Sequence, residues 1–251
     1  MIASAQPRIL PQPPAALFEG ASLFMDFDGT LVEIVDRPDA VSVDEPLRDL
    51  LAALSSAFEG RVAIVSGRSL NQIDELLGLI AKTLALSGSH GIEHRCHGVT
   101  TRPVRPRTLD AAINALCAFV APRPGTIVET KSYSVALHYR QAPSLEASAR
   151  EIATRLADEL DLRLELGKMV VELRVAGGDK GVAVRRLMAR PPMAGSRPLF
   201  IGDDLTDEKG FEAVRALGGA GILVGEGRAS AAEFGLPDVA SVRAWLADAT
   251  R

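Results

Sequence analysis

Two aspartates one residue apart, Asp26 and Asp28, stand where an apolar run meets a glycine, in Leu23-Phe24-Met25-Asp26-Phe27-Asp28-Gly29-Thr30-Leu31. The run reads as a buried parallel strand. Paired carboxylates at its end are costly to bury unless something neutralises them. A divalent cation that prefers oxygen ligands would do so, and Mg²⁺ is the usual choice. Three further pieces could work with this pair. Ser66, ahead of Gly67-Arg68, ends a second apolar run and can hold phosphate oxygens together with nearby backbone amides. Lys180 opens a helix and offers a compact positive charge. Asp203, in Gly202-Asp203-Asp204, ends a later strand.

These residue types suit the hydrolysis of a phosphate monoester, which needs an in-line nucleophile, charge neutralisation and a protonated leaving group. Asp26 could attack phosphorus and form an aspartyl-phosphate. Asp28 could protonate the departing alkoxide and then take a proton from water. Mg²⁺ held by Asp26 and Asp203 would blunt repulsion between the carboxylates and the phosphate. Each piece also has a plainer reading. Asp-Gly and Ser-Gly are common turns, Lys180 beside Gly181 suits a solvated helix start, and Asp203-Asp204 with Asp207-Glu208 suits a helix N-terminus. The order of the four, all at strand or helix ends, favours the chemical reading.

The elements that must place them follow from pattern. Helical spacing of Leu47, Leu50, Leu51, Leu54 and Phe58, after Asp44-Glu45-Pro46, predicts a helix that Gly60 stops. Arg61–Val65 reads as a strand, and Ser69 with Gln72 as a capping box for the next helix. Leu84–Ser87 reads as a third strand, followed by the glycine-bracketed loop Gly88-Ser89-His90-Gly91 and Ile92-Glu93-His94. Alternation resumes at Asp179, which caps a helix beginning at Lys180, and continues through the strand Pro198–Ile201, a helix with Phe211, Val214 and Leu217 inward, the strand Gly221–Val224 and a helix near Val242–Leu246. The fold class expected is α/β, a Rossmann-like doubly wound parallel sheet, with ligands beyond the carboxyl ends of its strands. Val32 to Val43, with Asp36, Pro38 and Asp39, reads as a loop over one such end.

Between the two halves the pattern changes to helix, strand, strand, helix, strand, strand, an α+β module expected over residues 106–177 and inserted between core segments 1–105 and 178–251. Its first helix is expected to start from a Thr108 cap. Strands are expected over Thr126–Lys131, Ser134–Arg140, Leu162–Leu166 and Lys168–Val175. Side chains alternate along a strand. Glu129 and Lys131 then share a face, as do His138 and Arg140, and Lys168, Glu172 and Arg174, while Val128, Val135, Leu137, Tyr139, Met169, Val171, Leu173 and Val175 face the module's helices. The polar face either meets solvent, as antiparallel sheets commonly do, or covers the phosphate site.

With 251 residues, 47% hydrophobic and 24% charged, the chain suits a globular protein of one or two domains. A net charge of −4 gives no basic excess for nucleic acid or an anionic membrane. Cys96 and Cys117 form neither a metal-ligand spacing nor a disulfide framework, as expected of reduced thiols in the cytoplasm. Residues 1–20, rich in Pro and Ala, read as a loose leader and not as a signal peptide, and no apolar run is long enough to span a bilayer.

The Asp-x-Asp-Gly-Thr-Leu spacing resembles the first motif of the haloacid dehalogenase superfamily of phosphotransferases. Within it, Gly88–Glu93, Glu129-Thr130-Lys131, His138-Tyr139-Arg140, Gly167-Lys168 with Glu172, and Gly202-Asp203-Asp204-Leu205-Thr206-Asp207-Glu208 resemble the trehalose-6-phosphate phosphatases, over about Leu23 to Leu246. That resemblance implies a phosphatase core with an inserted cap, and catalytic Asp26, Asp28, Ser66 and Lys180. It implies Mg²⁺ on Asp26, Asp203 and the main-chain carbonyl of Asp28, with Asp204 and Asp207 supporting the ligands. Sugar or phosphate contacts fall to Glu129, Lys131, Arg140, Lys168 and Glu172, with Arg68 and His90 lining the site. The substrate implied is trehalose 6-phosphate, in the last step of trehalose biosynthesis, with functional coupling to trehalose-6-phosphate synthase. Other readings are a phosphatase for sucrose phosphate or mannosyl-3-phosphoglycerate, a phosphotransferring mutase, and a non-catalytic regulatory domain, which the intact Asp26, Asp28, Lys180 and Asp203 disfavour.

Overall fold

The computed structural model describes residues 10–35 and 41–250. Asp36, Pro38 and Asp39 of the expected loop, and residues 1–9 of the expected leader, lie outside them. The chain divides into two compact units, Met1–Arg102 with Asp179–Arg251, and Pro103–Gly178. The second unit thus begins three residues earlier and ends one residue later than the expected 106–177.

The first unit is built on an eight-stranded sheet in the order β12-β11-β10-β1-β2-β3-β4-β5. The strands are β1 (Ala21–Met25), β2 (Val62–Val65), β3 (Ala85–Gly88), β4 (Glu93–Cys96), β5 (Val99–Thr101), β10 (Arg197–Gly202), β11 (Ala220–Val224) and β12 (Phe234–Leu236). All pairings are parallel except β3–β4 and β4–β5. Sheet period dictates the core. Leu23 and Met25 of β1, with Leu199 and Ile201 of β10, pack in one cluster beneath α1 (Glu45–Ala57), α2 (Leu70–Leu77) and α7 (Val239–Asp248). Phe24 and Phe200 point the other way, to α5 (Lys180–Met188) and α6 (Glu208–Ala216). Each such fully buried side chain contributes about 1.5–3 kcal/mol. The helix starts follow the sequence: Asp44 accepts from Leu47 N, Ser69 and Gln72 close a capping box, and Asp179 accepts from Val182 N.

Chain order runs outward from β1 to β5, then, after the second unit, returns to β10 beside β1 and runs outward the other way to β12. The switch point lies between β1 and β10, where doubly wound sheets open a crevice beyond the strand ends. Asp26 and Asp203 follow directly on these two strands.

The second unit is a four-stranded antiparallel sheet in the order β6-β7-β9-β8, with α3 (Arg107–Val120) and α4 (Glu146–Leu160) on one face. The strands are β6 (Ile127–Thr130), β7 (Ser134–His138), β8 (Leu162–Gly167) and β9 (Val170–Val175). Leu109 and Leu116 of α3 and Ala149 and Ala153 of α4 pack on Val135, Leu137, Tyr139, Val171 and Leu173.

Three expectations need correction, and one hairpin was not expected. The leader is not loose from Leu10 onward: Ala15–Phe18 forms a short 3₁₀ turn, Phe18 packs 4.2 Å from Trp245, and Gly235 N donates to Pro11 O. Packing a half-buried aromatic ring against Trp245 outweighs the Pro-rich composition. Helix α3 starts at Arg107 after Pro106, without a side-chain cap, so Thr108 lies inside its first turn. Strands β4 and β5 form a hairpin that the pattern did not suggest, because His97 and Gly98, both at positive φ, take the turn usually marked by Asn-Gly. Lys168 lies with Met169 in the β8–β9 turn and Arg140 lies beyond the end of β7, so neither shares a strand face as expected.

Candidate active site

The end of β1 is a tight turn. Asp26 N donates to Ile201 O, which carries the ladder with β10 one residue past the strand, and Leu31 N and Val32 N both donate to Phe27 O. Gly29, at φ 80°, stands against the Asp203 side chain, and a Cβ there would fall 2.2 Å from its Oδ2. Only glycine permits both the left-handed backbone and that approach. Thr30 Oγ1 donates to Asp203 Oδ1 at 3.3 Å.

Lys180 is at the centre. Its ammonium is buried, 2.6 Å from Asp207 Oδ1, 3.0 Å from Asp26 Oδ1 and 3.8 Å from Asp204 Oδ1. Burial alone would lower its pKa, but the surrounding Asp26, Asp207 and Asp204 outweigh it and hold the pKa well above the usual lysine value. Asp207 is committed at both oxygens: Oδ1 takes Lys180, and Oδ2 takes the backbone N–H groups of Asp203 and Asp204, each at 3.0 Å. Asp204 caps the short turn Leu205–Asp207 through Thr206 N and Asp207 N. Asp204 and Asp207 therefore brace the loop that presents Asp203.

The acidic groups outnumber their cation. Burial, helped by Asp204 and Asp203, pushes the Asp26 carboxyl up to about 7. Burial, with Asp207 and Asp204 nearby, pushes Asp203 up to about 6. Asp204 goes the other way, to about 2, because Lys180 and its hydrogen bonds to Thr206 and Asp207 outweigh its burial. One oxygen from each of Asp26, Asp203 and Asp207 lies within 4.8 Å of the others, so the cluster could hold a metal ion. Hard carboxylate oxygens, short of positive charge and braced from behind, fit Mg²⁺. With both Asp207 oxygens occupied, Asp26 and Asp203 are its freer donors.

Asp28 is held by Arg68, whose Nε donates to Oδ2 and whose second guanidinium nitrogen donates to Oδ1, both at 2.7 Å. Ser66 is buried, and its Oγ accepts from Arg68 N at 3.1 Å. His90 N donates to Ser66 O, and the His90 ring lies over Gly67. Asp26, Asp28, Ser66, Arg68, His90, Lys180, Asp203, Asp204 and Asp207 all belong to the first unit.

Glu129, Lys131, Arg140, Lys168 and Glu172 belong to the second unit. Register places Glu129, Ala136, Glu172 and Glu165 in one row across the face away from the helices. Lys131 Nζ lies 3.2 Å from Glu172 Oε1, Ser134 Oγ donates to the same oxygen, Glu129 pairs with His138 at 2.9 Å, and Glu165 pairs with Arg174. Arg140 and Lys168 are exposed.

Two supporting groups had no role from sequence. Glu208 pairs with Arg228 and accepts from Ala231 N, while Arg228 donates to Asp204 O at 2.6 Å, tying the loop after β11 to the Asp203-Asp204 turn. Glu208 lies in an acidic run that reads as a helix start, and Arg228 carries no motif, so neither offered a signal. Glu93 did fall in a recognised segment, without an assigned task.

Residues 24–239 match the family model for trehalose-phosphatase. The trehalose-6-phosphate phosphatase of Escherichia coli (strain K12) is 39% identical over 228 residues, covering 89% of this chain and 84% of that protein. A probable trehalose-phosphate phosphatase of Sinorhizobium fredii is 36% identical over 207 residues, covering 81% and 77%. Among solved structures, a trehalose-6-phosphate phosphatase related protein superposes with a TM-score of 0.77 at 29% identity, over 91% of this chain and 96% of that one. The C-terminal domain of the Candida albicans trehalose-6-phosphate phosphatase superposes at 0.81, over 98% and 99%, and at 23% identity shows the shared fold.

Proposed function

The chain belongs to the trehalose-phosphatase family and dephosphorylates trehalose 6-phosphate, and we propose that it does so through an aspartyl-phosphate on Asp26, with Mg²⁺ as cofactor. The observation that carries this reading is the buried contact of Lys180 Nζ with Asp26 Oδ1, 3.0 Å apart at the switch point of the sheet. A carboxylate so placed, at the end of β1 and held by a buried permanent cation, is oriented for nucleophilic attack.

Asp26 attacks phosphorus in line with the departing sugar oxygen, and the P–O bond to the sugar breaks as the Asp26–phosphorus bond forms. Asp28 gives the alkoxide its proton, then takes one from the water that hydrolyses the acyl phosphate. Lys180 holds Asp26 and offsets charge on the phosphoryl oxygens, which Ser66 also holds. Asp26, Asp203 and the main-chain carbonyl of Asp28 would hold Mg²⁺, which when bound neutralises charge on nucleophile and phosphate. Sugar recognition is assigned to the second unit's polar face, where Glu129, Lys131 and Glu172 suit the many hydroxyls of a neutral disaccharide, with Arg140 and Lys168 as further contacts. Arg68 and His90 complete the phosphate side.

Among the described residues no helix is long and apolar enough to cross a membrane. The two free thiols support a cytoplasmic location, where a synthase of trehalose 6-phosphate would supply the substrate. The test is phosphate release from trehalose 6-phosphate, sucrose phosphate and mannosyl-3-phosphoglycerate, with and without Mg²⁺. The expected result is a kcat/KM for trehalose 6-phosphate well above the others and dependent on the metal. A preference for another ester, or turnover indifferent to metal, would overturn the corresponding part.

A further inference from the structure

Ser89, His90 and Gly91 all have positive φ, at 50°, 54° and 91°. Consecutive left-handed residues with side chains persist only where their surroundings over-determine them. Here both sides of the turn are fixed. Ser89 N donates to Arg68 O at 2.8 Å and His90 N to Ser66 O at 3.0 Å, which fasten it to the loop carrying Ser66. On the other side Gly91 lies against Asp179, the cap of α5, so closely that a Cβ would fall 2.3 Å from the Asp179 carbonyl oxygen. Lys180 is the next residue. The turn is therefore a wedge between the two segments that deliver Ser66 and Lys180.

One buried carboxylate secures it. Glu93 is 1% exposed, and its Oε1 accepts from Ser89 Oγ at 2.7 Å and, more weakly, from Leu70 N at 3.4 Å. Its Oε2 meets Arg102 Nε at 2.8 Å, and Arg102 also reaches Asn71 Oδ1 on the first turn of α2. A buried carboxylate is retained at a cost unless its bonds are filled, and here they are filled by the Ser89 turn, the start of α2 and Arg102.

We propose that Glu93 is a positioning residue for phosphoryl transfer: through Ser89 it locks the left-handed turn that sets Ser66 against Lys180, without touching substrate itself. This rests on the phosphatase reading above. Ser66 and Lys180 serve the phosphoryl group and not the sugar, so loosening the turn must affect every phosphate ester alike.

The test compares Glu93→Gln and Ser89→Ala with the wild-type full chain on trehalose 6-phosphate and p-nitrophenyl phosphate, with inhibition by inorganic phosphate as a third readout. If the wild type hydrolyses neither ester, the phosphatase reading itself fails, which separates that outcome from failure of this one. With an active wild type, both variants are expected to lose about 5- to 20-fold in kcat on both esters, and the inhibition constant of phosphate is expected to rise several-fold. The double variant is expected to lose little more than the worse single, since both break one link. Kinetics and phosphate inhibition within twofold of wild type, whatever happens to thermal stability, would overturn the proposal. A loss confined to trehalose 6-phosphate would also overturn it. Should Glu93→Gln fail to fold, Ser89→Ala, which removes one hydroxyl and leaves the Arg102 pair, decides alone.

Discussion

Arg68 grips Asp28 from two directions, with both nitrogen–oxygen distances at 2.7 Å. Such a fork is among the stronger polar contacts a protein makes, and it fixes the plane of the carboxylate. The family resemblance sets Arg68 beside the substrate; the geometry sets it on the proposed acid–base. Arg68→Ala is expected to reduce kcat at least about 10-fold on any phosphate ester, since general acid–base catalysis contributes 10²–10⁴ and misorientation forfeits part of it. Arg68→Lys keeps the charge without the fork and should recover only part. Steady-state kinetics decides: a rise in KM with kcat intact would assign Arg68 to substrate binding alone.

Asp26→Asn keeps the size of the side chain but loses the attacking anion. It is expected to be folded and nearly inactive. Asp28→Asn should lower turnover by about two to four orders of magnitude and, lacking the base for the second step, accumulate phosphoenzyme. Acid quench and mass spectrometry of each variant after mixing with substrate would reveal the adduct. Ready turnover by pure Asp26→Asn would rule out the covalent route.

Metal binding should be coupled to protons. The carboxyls of Asp26 and Asp203 lie at about 7 and about 6, both raised by burial, so each holds more protons near neutrality than a free aspartate. Mg²⁺ must displace them. Its affinity is therefore expected to weaken as pH falls from 8 through 7 to 6, with proton release on binding. Titration calorimetry in buffers of different ionisation heat measures that release directly. A heat independent of buffer would show that the carboxylates are already ionised. Removal of the metal by EDTA should abolish activity, and Mg²⁺ should restore it.

Glu172 accepts from both Ser134 and Lys131 on the polar sheet face. If that face reads hydroxyls, Glu172→Ala should cut kcat/KM for trehalose 6-phosphate by roughly one to two orders of magnitude, at about 1–3 kcal/mol per lost bond. p-Nitrophenyl phosphate, without a sugar, should be affected far less. Equal losses on both substrates would make the face structural or gating.

His94, in β4, is buried, and desolvation, with the charges of Arg186 and Arg190, lowers its pKa to about 4. The unfolded chain binds a proton near pH 6.5, so the native state holds fewer protons between these values. Stability contributed by neutral His94 is present above 6.5 and is lost as pH falls toward 4. The loss between pH 7 and 5 is roughly 1–2 kcal/mol. Denaturant unfolding of His94→Gln at both pH values should show that much less acid sensitivity than wild type. An identical acid response would place the titration elsewhere.

Much of the molecule was legible from local pattern. Leu23 to Leu31 announces its strand, its turn and its two carboxylates together, because a buried parallel strand is continuously apolar and Asp-Gly is a common turn pair. Ser69 with Gln72, and Asp179 before Lys180, name their helix starts because capping is a contact between near neighbours. Alternation along β7 and β9 predicted which side of the inserted sheet is apolar. What sequence could not supply is which distant groups share a charge. Asp28 and Arg68 are 40 residues apart, Lys180 and Asp207 are 27 apart, and Glu208 finds Arg228 across a loop with no motif. Such pairings depend on the packing of separate elements, which periodicity does not record. For the same reason Lys168 and Arg140 fell off their expected faces: turn geometry, not alternation, decides the direction of a side chain once a strand has ended. The Ser89–Gly91 turn is the sharpest case. Gly91 takes positive φ freely, but Ser89 and His90 carry side chains that oppose it, and Glu93, the Ser66 loop and the start of α5, assembled around the turn, hold it there.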